Sequence, residues 1–430
     1  MVAFWLGIPL DLRFVLVAIL GIVGGALANW VIYRFAFFNP RPISPWGPKP
    51  DEAEDRTWRD RVPVLGWFFL RRESKWHGPG FWIRPIWIEI GTAMALVGLY
   101  WFETQTGGLL PEEMRIPRVL SQFEPYATYI FFAHLILFVL MVAATFIDFD
   151  ERIIPDVITI PGTLLALGTA SVTTLTFMPT PMPAGVVPPS IPTLFDAPWF
   201  VGNPVWMSST GLLLGLAIWT VWCFALADRR WSAVLVRRRG LGRAIRHFFQ
   251  GLFLHDFWKF LAVMWGAGCV ATYGVWALGG LHWRGLLTAL IGLAVGGGVI
   301  WGIRIVASWA LQMEAMGFGD VTLMAMIGAF LGWQAALLAF FLSPFAAILI
   351  VLVRYVITRD TTTPFGPYLC AGAMMTILFW DRVYNEWLVP NLLLMGPILL
   401  WMPIALLGLM GVMLFFWRLI KVAAFQRHVS

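Results

Sequence analysis

Two acidic clusters carry the side chains best suited to chemistry. The first runs Phe146-Ile147-Asp148-Phe149-Asp150-Glu151-Arg152-Ile153-Ile154-Pro155-Asp156, where an apolar stretch stops at a run of carboxylates and resumes after Pro155. The second is Gly317-Phe318-Gly319-Asp320, with Glu314 before it and the small-residue stretch 321–330 behind it. An acidic group set against apolar helices is costly to ionise and marks a functional site by default. Each cluster also has a plain structural reading: the first as a solvated turn between helices, and Asp320 as an N-cap bonding the free N–H groups of the next helix. The glycines flanking Phe318 are read as giving the backbone conformations closed to other residues and a close approach to a neighbouring helix. Together the clusters suit peptide hydrolysis without a metal or a nucleophilic side chain. One carboxylate activates water and the other protonates the developing oxyanion or amine, as two aspartates sharing a proton can do.

The elements that must position these groups are membrane helices. Of 430 residues, 59% are hydrophobic and 13% charged, against roughly 25% charged in a soluble domain, and the mean hydropathy is +0.77. Uncharged windows such as 129–147, 205–226 and 391–417 are long enough to cross a bilayer core. The expected fold is all-α, a polytopic transmembrane helical bundle with a small irregular cytoplasmic loop subdomain at 39–85. Spans are predicted near 14–37, 86–102, 127–147, 157–178, 206–227, 259–279, 285–310, 321–332, 334–356, 367–380 and 391–417. Asp11 and Arg13 precede an apolar run with no small-residue cleavage site, so 14–37 is read as a first span and not a signal peptide. The basic loops 39–85 and 228–258 belong in the cytoplasm by the positive-inside rule, which carries Asp148 and Asp320 to the cytoplasmic ends of their spans. Loop 228–258 reads as a basic amphipathic helix on anionic lipid, and the proline-rich 179–205 as an external linker. The lipid bilayer is the expected partner; no nucleic-acid partner is expected, and the sequence sets no oligomeric state. Cys223, Cys269 and Cys370 stand singly, so they offer neither a disulfide framework nor a CxxC metal site.

The same residues resemble the type IV prepilin peptidases, intramembrane aspartyl proteases of the Gly-x-Gly-Asp class. Ile147-Asp148-Phe149-Asp150-Glu151-Arg152-Ile153-Ile154-Pro155-Asp156 follows the pattern around that family's first aspartate, and Pro155 and Asp156 complete it. Gly317, Gly319 and Asp320, followed by Leu323-Met324-Ala325-Met326-Ile327-Gly328-Ala329, follow the pattern around its second. Pro364-Phe365-Gly366-Pro367-Tyr368-Leu369 is similar to a third segment near the C-terminal end. The resemblance implies that Asp148 and Asp320 are the catalytic pair, that no cofactor is required for proteolysis, and that prepilins or pseudopilins are the substrates. These would be cut on the cytoplasmic side of the bacterial inner membrane after a glycine. Glu314, Asp150 and Asp156 are placed to attract the basic leader, and Asp156 reads equally as a cap for the fourth span.

The N-terminal part is also similar to this family, through the stretch 21–34 with Asn29 and Arg34, the segment Val62-Pro63-Val64-Leu65-Gly66-Trp67, and the Arg84 to Glu89 spacing. In bifunctional members this region is associated with N-methylation by S-adenosylmethionine, which makes Asn29, Arg34, Arg84 and Glu89 candidate methyltransferase residues. Such members carry two CxxC pairs in the loop, whereas loop 39–85 has no cysteine and a single histidine, His77, so no metal site is expected. Arg34, Arg84 and Glu89 read equally as an ion-pair set holding the loop. The expected organisation is 1–126 (methyltransferase-like region), 127–178 (first peptidase part), 179–283 (inserted loops and two spans), 284–384 (second peptidase part) and 385–430 (an extra span and basic tail). Alternatives from other classes are an inactive scaffold of a pilus or type II secretion assembly, and a proton-coupled transporter. The last predicts mid-span carboxylates, whereas both clusters fall at span ends.

Overall fold

The computed structural model describes residues 2–35, 45–179, 204–226, 257–312, 316–358, 364–388, 391 and 405–417. Glu314, most of the expected linker, the basic loop 228–258 except its last two residues, and the tail after 417 lie outside them. Among the described residues there are helices and turns but no strand. They divide into two compact units, one within 1–165, 175–190 and 338–382, the other within 166–174, 191–337 and 383–430.

In the first unit, α1 (Val2–Leu6) leads into α2 (Leu10–Phe35), which packs on α5 (Ile83–Tyr100) and α6 (Pro117–Glu151). The glycines of 21–25 explain the fit. A Cβ on Gly21 would lie 2.5 Å from Ala93 Cα, one on Gly25 2.6 Å from Glu89 Cα, and one on Gly24 2.7 Å from Val139 Cγ2. Small residues at helical spacing thus let the helices touch backbone to backbone, as membrane helices must do without a hydrophobic drive. At one end of this bundle, Arg13 bonds Glu124 at 2.7 Å and the Tyr100 hydroxyl at 3.1 Å. Further along, a π-helical stretch, Trp101–Gln105, follows α5 and carries Glu103, whose carboxylate meets His134 Nδ1 at 2.6 Å with both side chains fully buried.

Between α2 and α5, the loop folds onto the span ends. The short helices α3 (Leu65–Leu70) and α4 (Ser74–His77) bury Trp67 and Leu70 against Tyr33, Phe81, Trp82 and Ile86. Two bidentate ion pairs cross-link it. Arg56 grips Glu73 at 2.9 and 2.8 Å, and Arg72 grips Asp60 at 2.7 and 2.8 Å, with both carboxylates only 1% exposed. The fork-on-carboxylate geometry holds Asp60 below the usual carboxylate pKa, mainly through the Arg72 hydrogen bonds. Burial lowers the His77 imidazole.

The rest of the first unit comprises most of α7 (Asp156–Val172), most of α12 (Trp333–Thr358) and α13 (Gly366–Leu378). The second unit holds α8 (Ser209–Leu226), α9 (Phe257–Leu278), α10 (Gly280–Leu311), α11 (Phe318–Leu331) and α14 (Ala405–Trp417). Gly279 (φ +65°) and Gly280 (φ +56°) turn the chain from α9 into α10 in the left-handed region that only glycine enters cheaply.

Among the described residues, seven helices are long and apolar enough to cross a membrane, so this is a multi-pass membrane protein. Four further apolar helices among them are shorter, and two expected spans need correction. α11 has 14 residues and α13 has 13, about 20 Å each at 1.5 Å per residue, short of a hydrocarbon core of about 30 Å. Every residue of α11 from Asp320 to Leu331 is buried, which makes it an interior helix that is apolar all round because protein surrounds it. In the opposite sense, the span expected at 127–147 is the centre of the 35-residue α6, about 52 Å long, which starts at Pro117, where a missing N–H costs nothing.

Candidate active site

Asp148 occupies the last turn of α6 and is 4% exposed. The helix ends three residues later at Glu151 and is capped by Arg152, whose φ of +56° is the left-handed closure of a helix and whose N–H bonds the Asp148 carbonyl at 2.9 Å. Asp148 Oδ2 accepts the backbone N–H of Gly366 at 3.0 Å. Gly366 is the first residue of α13, so this N–H is one of the donors a helix start leaves without an intrahelical partner, and the helix dipole favours an anion there. A Cβ at Gly366 would press on the Asp148 carboxylate and lie 2.8 Å from Ile154 Cδ1. The bond thus joins two sequence segments 218 residues apart. Pro155 precedes α7, and Asp156 is the first residue of that helix, half-buried.

Around this turn, Arg84 sends two hydrogen bonds to Asp150, at 3.0 and 2.8 Å, and its guanidinium lies 5.0 Å from the centre of the Phe146 ring. Asp150, expected to attract substrate, is therefore engaged within the protein. The expected ion-pair set is also corrected. Glu89 pairs with neither Arg34 nor Arg84; it accepts from Asn29 Nδ2 at 2.9 Å, from Trp67 Nε1 at 2.8 Å and from the Val64 N–H. Asn29 Nδ2 also bonds the Pro85 carbonyl at 3.0 Å. Arg34 is exposed in the last turn of α2, where a cation suits the helix dipole. Val64 has φ +63° at the centre of a γ-turn closed by Leu65 N–H on Pro63 O at 2.7 Å, a strained conformation for a β-branched residue that the buried carboxylate stabilises. Asn29 and Glu89 are fully buried, and both Glu89 oxygens are occupied by donors of the chain. These bonds brace the loop.

Asp320 sits in the second unit, as the third residue of α11, and is 9% exposed. The N-cap is Gly317, so the capping role expected for Asp320 does not hold. Gly317 has ordinary extended geometry, φ −68° and ψ 152°, and a Cβ there would make only an ordinary van der Waals contact with Asp320 Oδ2, at 3.8 Å. Gly319 follows in the first turn, its carbonyl accepting the Thr322 hydroxyl at 3.0 Å. α11 is pinned on α10 by glycines: a Cβ on Gly292 would strike the Gly328 carbonyl, one on Gly328 the Gly292 carbonyl, and one on Gly296 the Met324 carbonyl. Arg304, on α10, donates to the Met316 carbonyl at 3.2 Å and lies 5.6 Å from the Phe318 ring centre. Sequence reasoning passed over Arg304, whose cue was a lone cation inside an apolar span.

The fold and these carboxylates define a class: a multi-pass helical membrane protein with two buried aspartates, each in a terminal helical turn. Comparison narrows it. Residues 257–352 match the type IV leader peptidase family; the matched segment includes Asp320, and Asp148 lies outside it. A prepilin leader peptidase/N-methyltransferase of Pseudomonas putida is 30% identical over 136 residues, 31% of this chain and 43% of the relative. The protein of the same name in Aeromonas hydrophila is 33% identical over 132 residues, 26% of this chain and 43% of the relative. The chain thus spans less than half the length of these curated relatives. No solved structure matches it.

Proposed function

We propose that the chain is an aspartyl endopeptidase of the bacterial inner membrane that removes the leader from type IV prepilins or pseudopilins at the cytoplasmic face. Asp148 and Asp320 are its catalytic pair, one activating water and the other protonating the departing amine. The observation that carries this reading is the Asp148–Gly366 hydrogen bond. It brings together two of the three segments that resemble the family, on a buried carboxylate, while the third segment falls in the matched residues 257–352. An inactive scaffold has no need of a buried aspartate so held, and a transporter needs its carboxylates nearer mid-span.

The relatives' names also include methyl transfer. In this chain Asn29 Nδ2 and both Glu89 oxygens are engaged with each other and the loop, so proteolysis is the activity proposed. The test is cleavage of a prepilin-like substrate with glycine before the cut bond, in parallel with a version carrying valine there. The reading expects cleavage of the first alone and an unmethylated new terminus. Cleavage of both at equal rates contradicts the substrate assignment.

A further inference from the structure

Both aspartates lie in the sequence Phe-x-Asp, in Phe146-Ile147-Asp148 and in Phe318-Gly319-Asp320. In each case an arginine from a different helix covers the phenylalanine and holds the backbone or side chain of the same turn. Arg84, from α5, spans Asp148 by reaching the residues two before and two after it, Phe146 and Asp150. Arg304, from α10, reaches Phe318 and the Met316 carbonyl, two and four residues before Asp320. We infer that Arg84 and Arg304 are positioning residues, each fixing the terminal helical turn that carries one catalytic aspartate. This rests on the peptidase reading above.

The physical need is the same at both places. The final turn of a helix lacks donors for its own carbonyls and the first turn lacks acceptors for its N–H groups, so end residues fray unless something outside the helix holds them. Asp148 is three residues from the end of α6 and Asp320 is third in α11. A planar guanidinium suits the task because it can stack on a ring and bond an oxygen in one rigid plane, which a lysine cannot do. The Arg84–Asp150 pair has side chains 42% and 34% exposed, and ion pairs this open add little stability. Its bidentate geometry instead sets orientation. Neither arginine is placed to touch the reacting bond through these contacts; each acts through the turn it holds.

The experiment measures kcat and KM separately on the full chain in detergent or nanodiscs, with a Gly–Phe prepilin peptide, for wild type, Arg84→Lys, Asp150→Asn, their double variant, and Arg304→Lys. Asp148→Asn and Asp320→Asn serve as controls. Each single variant is expected to lower kcat on the order of 10- to 100-fold, the size of effect that misplacing a catalytic group produces, while KM stays nearly constant. The Arg84→Lys/Asp150→Asn double variant is expected to be no slower than the worse single, since both break one contact. Exchanging the charges, Arg84→Asp with Asp150→Arg, is expected to recover part of the loss even if Arg84→Lys folds poorly. Wild-type kcat in the single variants, or a raised KM with kcat unchanged, overturns the positioning role and moves Arg84 and Asp150 to substrate binding. An inactive wild type, or cleavage by either Asn control, overturns the peptidase reading and this inference with it.

Discussion

At Gly366 the backbone comes so close to Asp148 that no side chain fits between them. Gly366→Ala is therefore expected to push the carboxylate or α13 aside and to lower kcat on the order of 10- to 100-fold, with the protein still folded by size-exclusion and thermal melt. Alanine at full activity would mean that the N–H contact does not matter to the chemistry. The two aspartates themselves were legible in the sequence, because acidic groups at the ends of apolar runs stand out by composition and fall in recognisable patterns. The donor to Asp148 was not legible, since a hydrogen bond across 218 residues leaves no local trace. Arg304 escaped for a related reason: its partners, Met316 and Phe318, lie across a turn whose path the sequence alone does not give. Asp150 was read as a residue that attracts the leader, and its pairing with Arg84 was not foreseen.

Among the elements, the loop between α2 and α5 is the one whose stability should respond to acid. Asp60 is held below the usual carboxylate pKa, first by its hydrogen bonds with Arg72. A depressed folded-state value gives stabilisation that is complete above the unfolded value of about 4 and is lost as pH falls through the folded value. Hydrogen exchange at Trp67 and Leu70 is expected to be slow and flat with respect to local opening above that range and to accelerate below it. In Asp60→Asn that acid limb should disappear; an unchanged profile would remove the Arg72–Asp60 pair from the account. The positions of the eleven apolar helices among the described residues follow from hydropathy, but their lengths do not. α11 and α13 are apolar on every side, which sequence cannot distinguish from a lipid-facing span, and only their contacts show protein on all sides of α11. The glycines of α2 were noticed as a family-like stretch, whereas their use, seating Ala93 and Glu89 against the α2 backbone, needed the partner helix.

For the whole molecule, the charge bias of the loops predicts an orientation. Single cysteines at Trp58 and Glu112, both exposed, placed in a chain whose three native cysteines are replaced, are expected to label from opposite sides. Trp58→Cys should react with an impermeant reagent only from the cytoplasm and Glu112→Cys only from outside. The reverse pattern would place the Asp148 end of α6 outside and defeat a cytoplasmic peptidase. Fold class was readable because bilayer crossing imposes helices on any long apolar segment, and the basic loops gave a direction. The division into two units was not readable, because it depends on how α7 and α12 share their residues between them.

The most direct test of the central claim is cleavage of a co-expressed prepilin with a Gly–Phe junction, followed by mobility shift and N-terminal mass, for wild type, Asp148→Asn and Asp320→Asn. Cleavage by wild type and none by either folded variant is the predicted result. An intact substrate with wild type, or normal cleavage by either variant, would contradict the two-aspartate mechanism.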